Sequence, residues 1–395
     1  MTRALYAAPV LLVLAAVACQ DRSVAPTATR PSFAAAAPAS CPATPTVIVS
    51  DEAGLRNAIA TAAPGAVIAI QGMIGLTQDD TVRTAGITIT CATPGSGLFA
   101  VAGGAAQDML TVDVPKVTVD HLVLDASQAA DGPYLSENDG VTAFAESTTF
   151  TNNIATCPPN GVCAFVAGGI GEVVSDNQFQ ALGPFTGIQL QTNGAVGEIR
   201  IDGVRVERNV LVATAPSTGP RQGAIRAFGV ANAVIADNTT TGPWRTGVSA
   251  TQVSDSRVSG NTFQGAAEYG IQTSARVQLP DPGRTTNTLF SNNRVSGAGI
   301  AGVFPRLACG NTFVGNNLQG NPGNLGLLFD VTSGANTYAG DRTVVVDNGA
   351  FDCNGDGVND PNIIAGPGMA RHGLQVGGGD PGVGTQRTVH GIVVK

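Results

Sequence analysis

Ser259-Gly260-Asn261-Thr262-Phe263, followed nine residues after its asparagine by Gly270-Ile271, is the stretch on which the fold turns. Short β-prone pieces alternate here with glycine and asparagine, residues that let a chain turn sharply. The pattern continues on both sides, as Ser175-Asp176-Asn177-Gln178-Phe179 and as Ser291-Asn292-Asn293-Arg294-Val295. Asparagine recurs at 153, 177, 209, 238, 261, 293, 317 and 348, at intervals of 24, 32, 29, 23, 32, 24 and 31. Three residues before each stands an apolar side chain: Phe150, Val174, Val206, Ile235, Val258, Phe290, Val314 or Val345. Nine residues after Asn238, Asn261, Asn293 and Asn317 come Gly247, Gly270, Gly302 and Gly326, each followed by Val, Ile or Leu.

A repeat of this length, with short strands and turn residues, cannot close a hydrophobic core by itself. Stacking must close it. Successive windings then pair in register about 4.8 Å apart, and like residues form columns. An asparagine buried at a bend can hydrogen-bond to the same asparagine above and below, which explains a polar residue kept among apolar ones. The three quoted pentapeptides resemble the repeats of the pectate-lyase-like superfamily, over roughly residues 46–395. The resemblance implies an all-β fold, a single right-handed parallel β-helix (a solenoid). Ser50-Asp51-Glu52 is expected to cap a short N-terminal helix with an apolar stripe of Leu55, Ile59 and Ala62, ended by Pro64-Gly65. Such a helix plugs an end that would otherwise be a bare sheet edge. Strands are expected to begin at Val67–Ile70 and Ile87–Thr90, and the Gly-rich tail 365–395 to cover the far end.

Composition agrees with a folded, turn-rich chain: among 395 residues there are 51 glycines, 43% apolar residues and only 5% aromatics. A net charge of −8 argues against a nucleic-acid partner, whose phosphates reward a basic face. Arg3 and the apolar run 4–18 read as an export signal too short to span a bilayer. Ala16-Val17-Ala18-Cys19 resembles a bacterial lipobox, with Ala16 where leucine is common, which implies cleavage and lipid attachment at Cys19. An ordinary signal peptide cut elsewhere is the alternative. Residues 19–45, rich in Ala, Pro, Ser and Thr, read as a tether, and 46–395 as the folded domain. The chain is then an exported cell-envelope lipoprotein held to the membrane by its lipid, with a monomer favoured. Six further cysteines, Cys41, Cys91, Cys157, Cys163, Cys309 and Cys353, suit disulfides in an oxidising compartment. Cys157 and Cys163, flanking Pro158-Pro159-Asn160-Gly161, are the best candidate pair.

If each Gly-Ile-type strand starts with an inward apolar residue, alternation fixes the outward side chains. They form one row of Gln189, Arg226, Ser249, Gln272, Phe304 and Leu328, and a second of Gln191, Phe228, Thr251, Ser274, Arg306 and Asp330. Planar amides, two arginines and an exposed phenylalanine in parallel rows suit an extended polysaccharide, with Arg226 and Arg306 meeting uronate carboxylates. A plain solvated sheet face is the competing reading. Insertions near 213–222 and 275–289 are placed to wall such a groove.

In the superfamily the resemblance implies an arginine base with calcium-binding carboxylates in lyases, or clustered aspartates in hydrolases; neither pattern is found. Val119-Asp120-His121 reads as a strand with one exposed histidine. Asp352, Asn354, Asp356 and Asp360 stand at the first, third, fifth and ninth positions of a stretch resembling a calcium loop, with Gly357 sixth and Ile363 where the closing glutamate belongs. Plain turn chemistry uses the same residues, and Gly357-Val358, nine residues after Asn348, also fits the coil frame. The glycines at 377–382 are set in a context that forbids the helix a bound dinucleotide needs. Three functions remain: a non-catalytic envelope protein binding polysaccharide, a divergent lyase or epimerase acting on uronic-acid glycans through Arg226 or Arg306, and a structural or adhesive surface protein.

Overall fold

The computed structural model describes residues 40–372, apart from 43, 107, 137–146, 160, 184–185, 192–200, 217–222, 275–282, 341–342 and 366–370. The signal segment with Cys19, most of the tether, and the tail beyond His372 lie outside the described residues. One winding shows the plan. Thr246–Thr251 forms a strand, the chain turns a corner into Arg257–Ser259, turns again at Gly260-Asn261 into Thr262–Gln264, and returns as Tyr269–Ser274, 23 residues after it began. Strands pair in parallel with their counterparts in neighbouring coils, giving sheets of 13, 12 and 9 strands and two of two strands among the described residues. The body is therefore a parallel β-helix with three long faces around one apolar interior.

The corner between the 13- and 9-stranded sheets depends on asparagine. Asn153, Asn177, Asn209, Asn238, Asn261, Asn293 and Asn316 form a buried column. The amides inside the column, from Asn177 to Asn293, are fully used. Asn238 Nδ2 donates to Asn261 Oδ1 at 2.9 Å and to the Val206 carbonyl at 2.8 Å. Its Oδ1 accepts from the backbone N–H and the Nδ2 of Asn209, at 2.9 and 3.0 Å. The residue before each member has a positive φ, between 55° at Asn152 and 69° at Gly260. Asparagine and aspartate tolerate that conformation, and glycine is required where the neighbouring coil comes too close. At Gly260 a Cβ would lie 2.2 Å from Asp237 Oδ1.

Two members of the sequence series are corrected. The column uses Asn316, not Asn317, and the inward residue three before it is Phe313, not Val314; Asn317 is exposed and accepts from Gln319 N–H. Adjacent asparagines left a one-residue ambiguity, and one residue inverts a strand's facing. Asn348 is not in the column either: it follows Val344–Asp347 of the 12-stranded sheet. Tyr338 instead continues the inward column after Phe313. A second column, Asn311–Asn336–Asn362, lies at the corner entering the 13-stranded sheet.

The glycine landmarks hold. At Gly247 a Cβ would lie 2.5 Å from the Phe263 ring, and at Gly270 2.2 Å from Val295, so the strand bends against core side chains with no room for a methyl group. The capping helix is Glu52–Thr61, with Asp51 accepting from Gly54 N–H at 2.7 Å and Leu55, Ala58 and Ile59 buried against the first coils. Arg56 anchors it through Asp80 at 2.7 Å. The expected strands are present as Val67–Ile70 and Thr88–Cys91, but the first strand, Val47–Val49, comes before the helix and pairs with Val67–Ile70; coiling continues through Arg371–His372, so residues expected to form the tail still add rungs. Disulfides join Cys41 to Cys91, Cys157 to Cys163 and Cys309 to Cys353. Val119 and Asp120 are in a strand, but His121 is a half-buried corner residue at φ 54°, not an exposed strand residue.

Replacing Asn238 by alanine strands the Asn209 donors and the Val206 carbonyl in the interior, and buried unpaired groups cost about 1–3 kcal/mol each. Chemical denaturation of Asn238→Ala should show a loss of about 3 kcal/mol or more, while Asn317→Ala should stay within about 1 kcal/mol of the parent.

Candidate functional site

The outer face of the 12-stranded sheet carries the residues singled out from the sequence. Gln189 pairs in register with Arg226, Arg226 with Ser249, Ser249 with Gln272, and Gln272 with Phe304. Leu328 continues the row one coil further on, opposite Val346. In the second row Gln191 pairs with Phe228, Phe228 with Thr251 and Thr251 with Ser274. Inward partners such as Ile188, Leu190, Ile225 and Val248 are fully buried, which confirms the alternation.

The rows are linked side chain to side chain. Gln189 Nε2 donates to Gln191 Oε1 at 3.1 Å, and Arg226 Nη1 to Gln189 Oε1 at 3.4 Å. The Arg226 guanidinium stands 6.0 Å from the Phe228 ring centre, at the outer limit of a cation–π contact. Thr251 and Ser274 share a hydrogen bond of 2.7 Å. Phe228, expected to be exposed, is only 5% exposed, and Gln189 and Thr251 are also buried.

Arg306 and Asp330 do not extend the second row. Pairing between the Tyr269–Ser274 and Ala301–Phe304 strands ends at Gln272–Phe304, because Pro305 has no N–H to give the ladder. Arg306 is held at the corner by its backbone, whose N–H donates to Thr273 Oγ1 at 2.9 Å, and Leu307 turns at φ 51°. Asp330 Oδ1 accepts from the N–H and the hydroxyl of Thr332. Of the expected insertions, the one near 213–222 precedes the Gly223–Phe228 strand and the one near 275–289 follows the Tyr269–Ser274 strand of this face; their residues 217–222 and 275–282 lie outside the described residues.

Sequence reasoning missed Tyr269, which immediately precedes the landmark Gly270. Its ring stacks on Phe304 with centres 4.6 Å apart, beside an Arg245–Glu268 ion pair of 2.8 Å. Burial first, then the Glu268 carboxylate, pushes the phenol well above its ordinary value, against the opposing pull of Arg245 and Arg306. The phenol therefore keeps its proton at neutral pH.

The Asp352–Asp360 loop is built as a turn. Asp352 accepts from Gly355 and Gly357 N–H at 2.6 Å each, Asn354 from Asp356 at 2.9 Å, Asp356 from Val358 at 2.8 Å and Asp360 from Cys353 at 2.9 Å. Gly357-Val358 lies in this exposed loop and not on a coil strand, which corrects the frame reading. Among the described residues no group of three His, Cys, Asp or Glu side chains is arranged to hold a metal ion.

Parallel coils joined by corners in one sense, with inward columns and an amide column, define the right-handed parallel β-helix class. The family model described as the right handed beta helix region matches residues 149–351, and the chain belongs to that family. Among solved structures it is similar to the A-modules of two Azotobacter vinelandii mannuronan C-5 epimerases. AlgE4 is 14% identical with TM-score 0.59, and AlgE6 15% with TM-score 0.53; each match covers 82% of this chain and 94% of that one. It is also similar to the enzymatically active domain of bacteriophage CBA120 tailspike protein 2, at 10% identity and TM-score 0.52, over 81% of this chain but 49% of the tailspike. At these identities the likeness is one of fold. A search of curated proteins finds no match.

Desolvation pushes the Asp352 carboxyl up, but N–H donors from Gly357, Gly355, Asp356 and Asn354 outweigh it and hold the carboxyl below its ordinary value. A depressed acid stabilises the fold above its unfolded pKa and loses that contribution as pH falls through the folded one. Asp352→Asn should therefore lower the Tm at neutral pH, and the gap from the parent should close as pH is taken below the ordinary aspartate range.

Proposed function

We propose that this is an exported, lipid-anchored protein of the cell envelope that binds an extended polysaccharide along the polar rungs of the 12-stranded face without turning it over. The observation that carries this reading is the in-register column Gln189–Arg226–Ser249–Gln272, backed by Gln191, Thr251 and Ser274. Hydrogen-bonding side chains recur there once per rung, about every 4.8 Å, close to the length of one pyranose unit. A chain of sugars laid across the rungs meets the same kind of donor at each step. Arg226 supplies a cation for a uronate carboxylate, and amides joined to each other and to Arg226 are pre-oriented, which lowers the cost of ordering them on binding. The fold is shared with the mannuronan epimerase modules, which supports a glycan and favours an anionic one. The lipid anchor rests on Ala16-Val17-Ala18-Cys19.

A second reading, a divergent lyase or epimerase of uronic-acid glycans, has one observation in its favour: Tyr269, kept protonated by burial, adjoins the Gln272 rung beside the Arg245–Glu268 pair. It could supply a proton but would need another group to remove one.

Calorimetric titration with alginate, pectate and glycosaminoglycan oligomers, together with an assay for unsaturated or epimerised product, separates the readings. Binding without product is expected, weakened about ten- to a hundredfold in Arg226→Ala because a charge-assisted hydrogen bond contributes about 1.5–3 kcal/mol. Product formation that is lost in Tyr269→Phe would establish the enzyme, and silence towards every glycan the structural or adhesive role. For the anchor, Cys19→Ser should move the protein from the membrane fraction to the soluble fraction of its host.

A further inference from the structure

The polar run of the 12-stranded face is bounded at both ends by an aromatic ring in the same outward row. Phe165 pairs with Gln189 where the run starts, and Gln272 with Phe304 where it stops. Ala164 and Val166, on either side of Phe165, are fully buried, so the phenyl group between them points outward; both rings are half-buried. One rung outside each ring stands a leucine, Leu135 before Phe165 and Leu328 after Phe304. Phe304 and Leu328 pack against a buried apolar cluster of Tyr269, Ala301, Leu325 and Val346, separate from the interior.

From the Phe165 rung to the Phe304 rung is five steps, or about 24 Å at about 4.8 Å per rung. A leucine rung offers a sugar nothing to replace the water its hydroxyls give up, and a hydroxyl buried without a partner is costly. A phenyl ring is different. A pyranose carries its hydroxyls around its edge and C–H groups on its faces, and those slightly positive hydrogens suit the negative face of an aromatic ring. Phe304 is already held by stacking on Tyr269, with ring centres 4.6 Å apart, so little freedom is lost when a ligand settles on it.

We infer that Phe165 and Phe304 are the end subsites of a bounded cleft, each stacking on the face of one sugar, so that the 12-stranded face reads a stretch of about six units at one unit per rung. The units between the rings meet Gln189, Arg226, Ser249 and Gln272, and a longer chain overhangs onto leucine rungs that add no hydrogen bond. The inference rests on the saccharide reading and adds to it the length of glycan recognised and the two residues that set it.

Binding of mannuronate and galacturonate oligomers of four to eight units, measured by calorimetry on the complete protein, tests it. Affinity should climb from four units to about six and then change by no more than about threefold up to eight, the statistical gain of a chain that can sit in several registers. Phe165→Leu and Phe304→Leu keep the apolar bulk and remove the aromatic ring. With unchanged circular dichroism, each should weaken the six-unit oligomer about two- to tenfold, bring the plateau down to about five units and leave the four-unit oligomer within about twofold of the parent. Arg226→Ala should weaken the four- and six-unit oligomers alike and leave the plateau in place. A steep climb that continues to eight units, a plateau already reached at four, or leucine variants that match the parent at six would overturn the inference and leave the saccharide reading standing. Oligomers that fail to bind at any length would overturn both.

Discussion

In a parallel solenoid every side chain faces a chemically equivalent position one rung away, and that constraint governs the rest of the structure. Apolar residues meet it simply, as in the inward column Phe290, Phe313 and Tyr338. Charged residues meet it badly, because like charges would stack. Asparagine is the polar residue that can satisfy its own copy, since one amide carries both donors and acceptor. The seven-membered column turns that property into a corner: each amide also binds backbone groups that the sharp bend removes from the ladders. In a low-dielectric interior such a chain of bonds is worth more when complete than the sum of its parts. The fold thus places a polar column inside the core without an unmet group along it.

The outer faces escape this constraint and are free to differ from rung to rung. On the 12-stranded face the central rungs carry Gln, Arg, Ser and Gln, while the last carry Phe, Leu and Val. A rigid scaffold holds both sets at fixed spacing, so specificity along the face is a matter of which rung a ligand reaches. Buried amides tied to one another give a surface pre-ordered for hydrogen bonding, and the aromatic pair of Tyr269 and Phe304 marks where the polar run ends.

The coil, its glycine landmarks, the capping helix and the outward rows were all legible in the sequence, because each depends on local pattern repeated many times. What failed did so at single residues. Asn316 and Asn317 present the same side chain twice, and nothing local says which one turns inward. Arg306 fitted the outward count, but Pro305 ends the pairing before the count reaches it. The Tyr269–Leu325–Val346 cluster was invisible for another reason: its members are brought together only by coil-to-coil register, and insertions of unequal length hide that register in the linear order.

The bridge from Cys41 to Cys91 has a mechanical meaning. Any force pulling on the chain ahead of Cys41 passes through the sulfur atoms to the Ile68–Ile89–Val119 layer of the 13-stranded sheet, and the 49 residues between the two cysteines carry none of it. The edge strand Val47–Val49 and the helix that plugs the end therefore cannot be peeled away first, as the outermost turn of a spring would be. A pull on that end would have to shear several paired strands at once before the coil began to unwind.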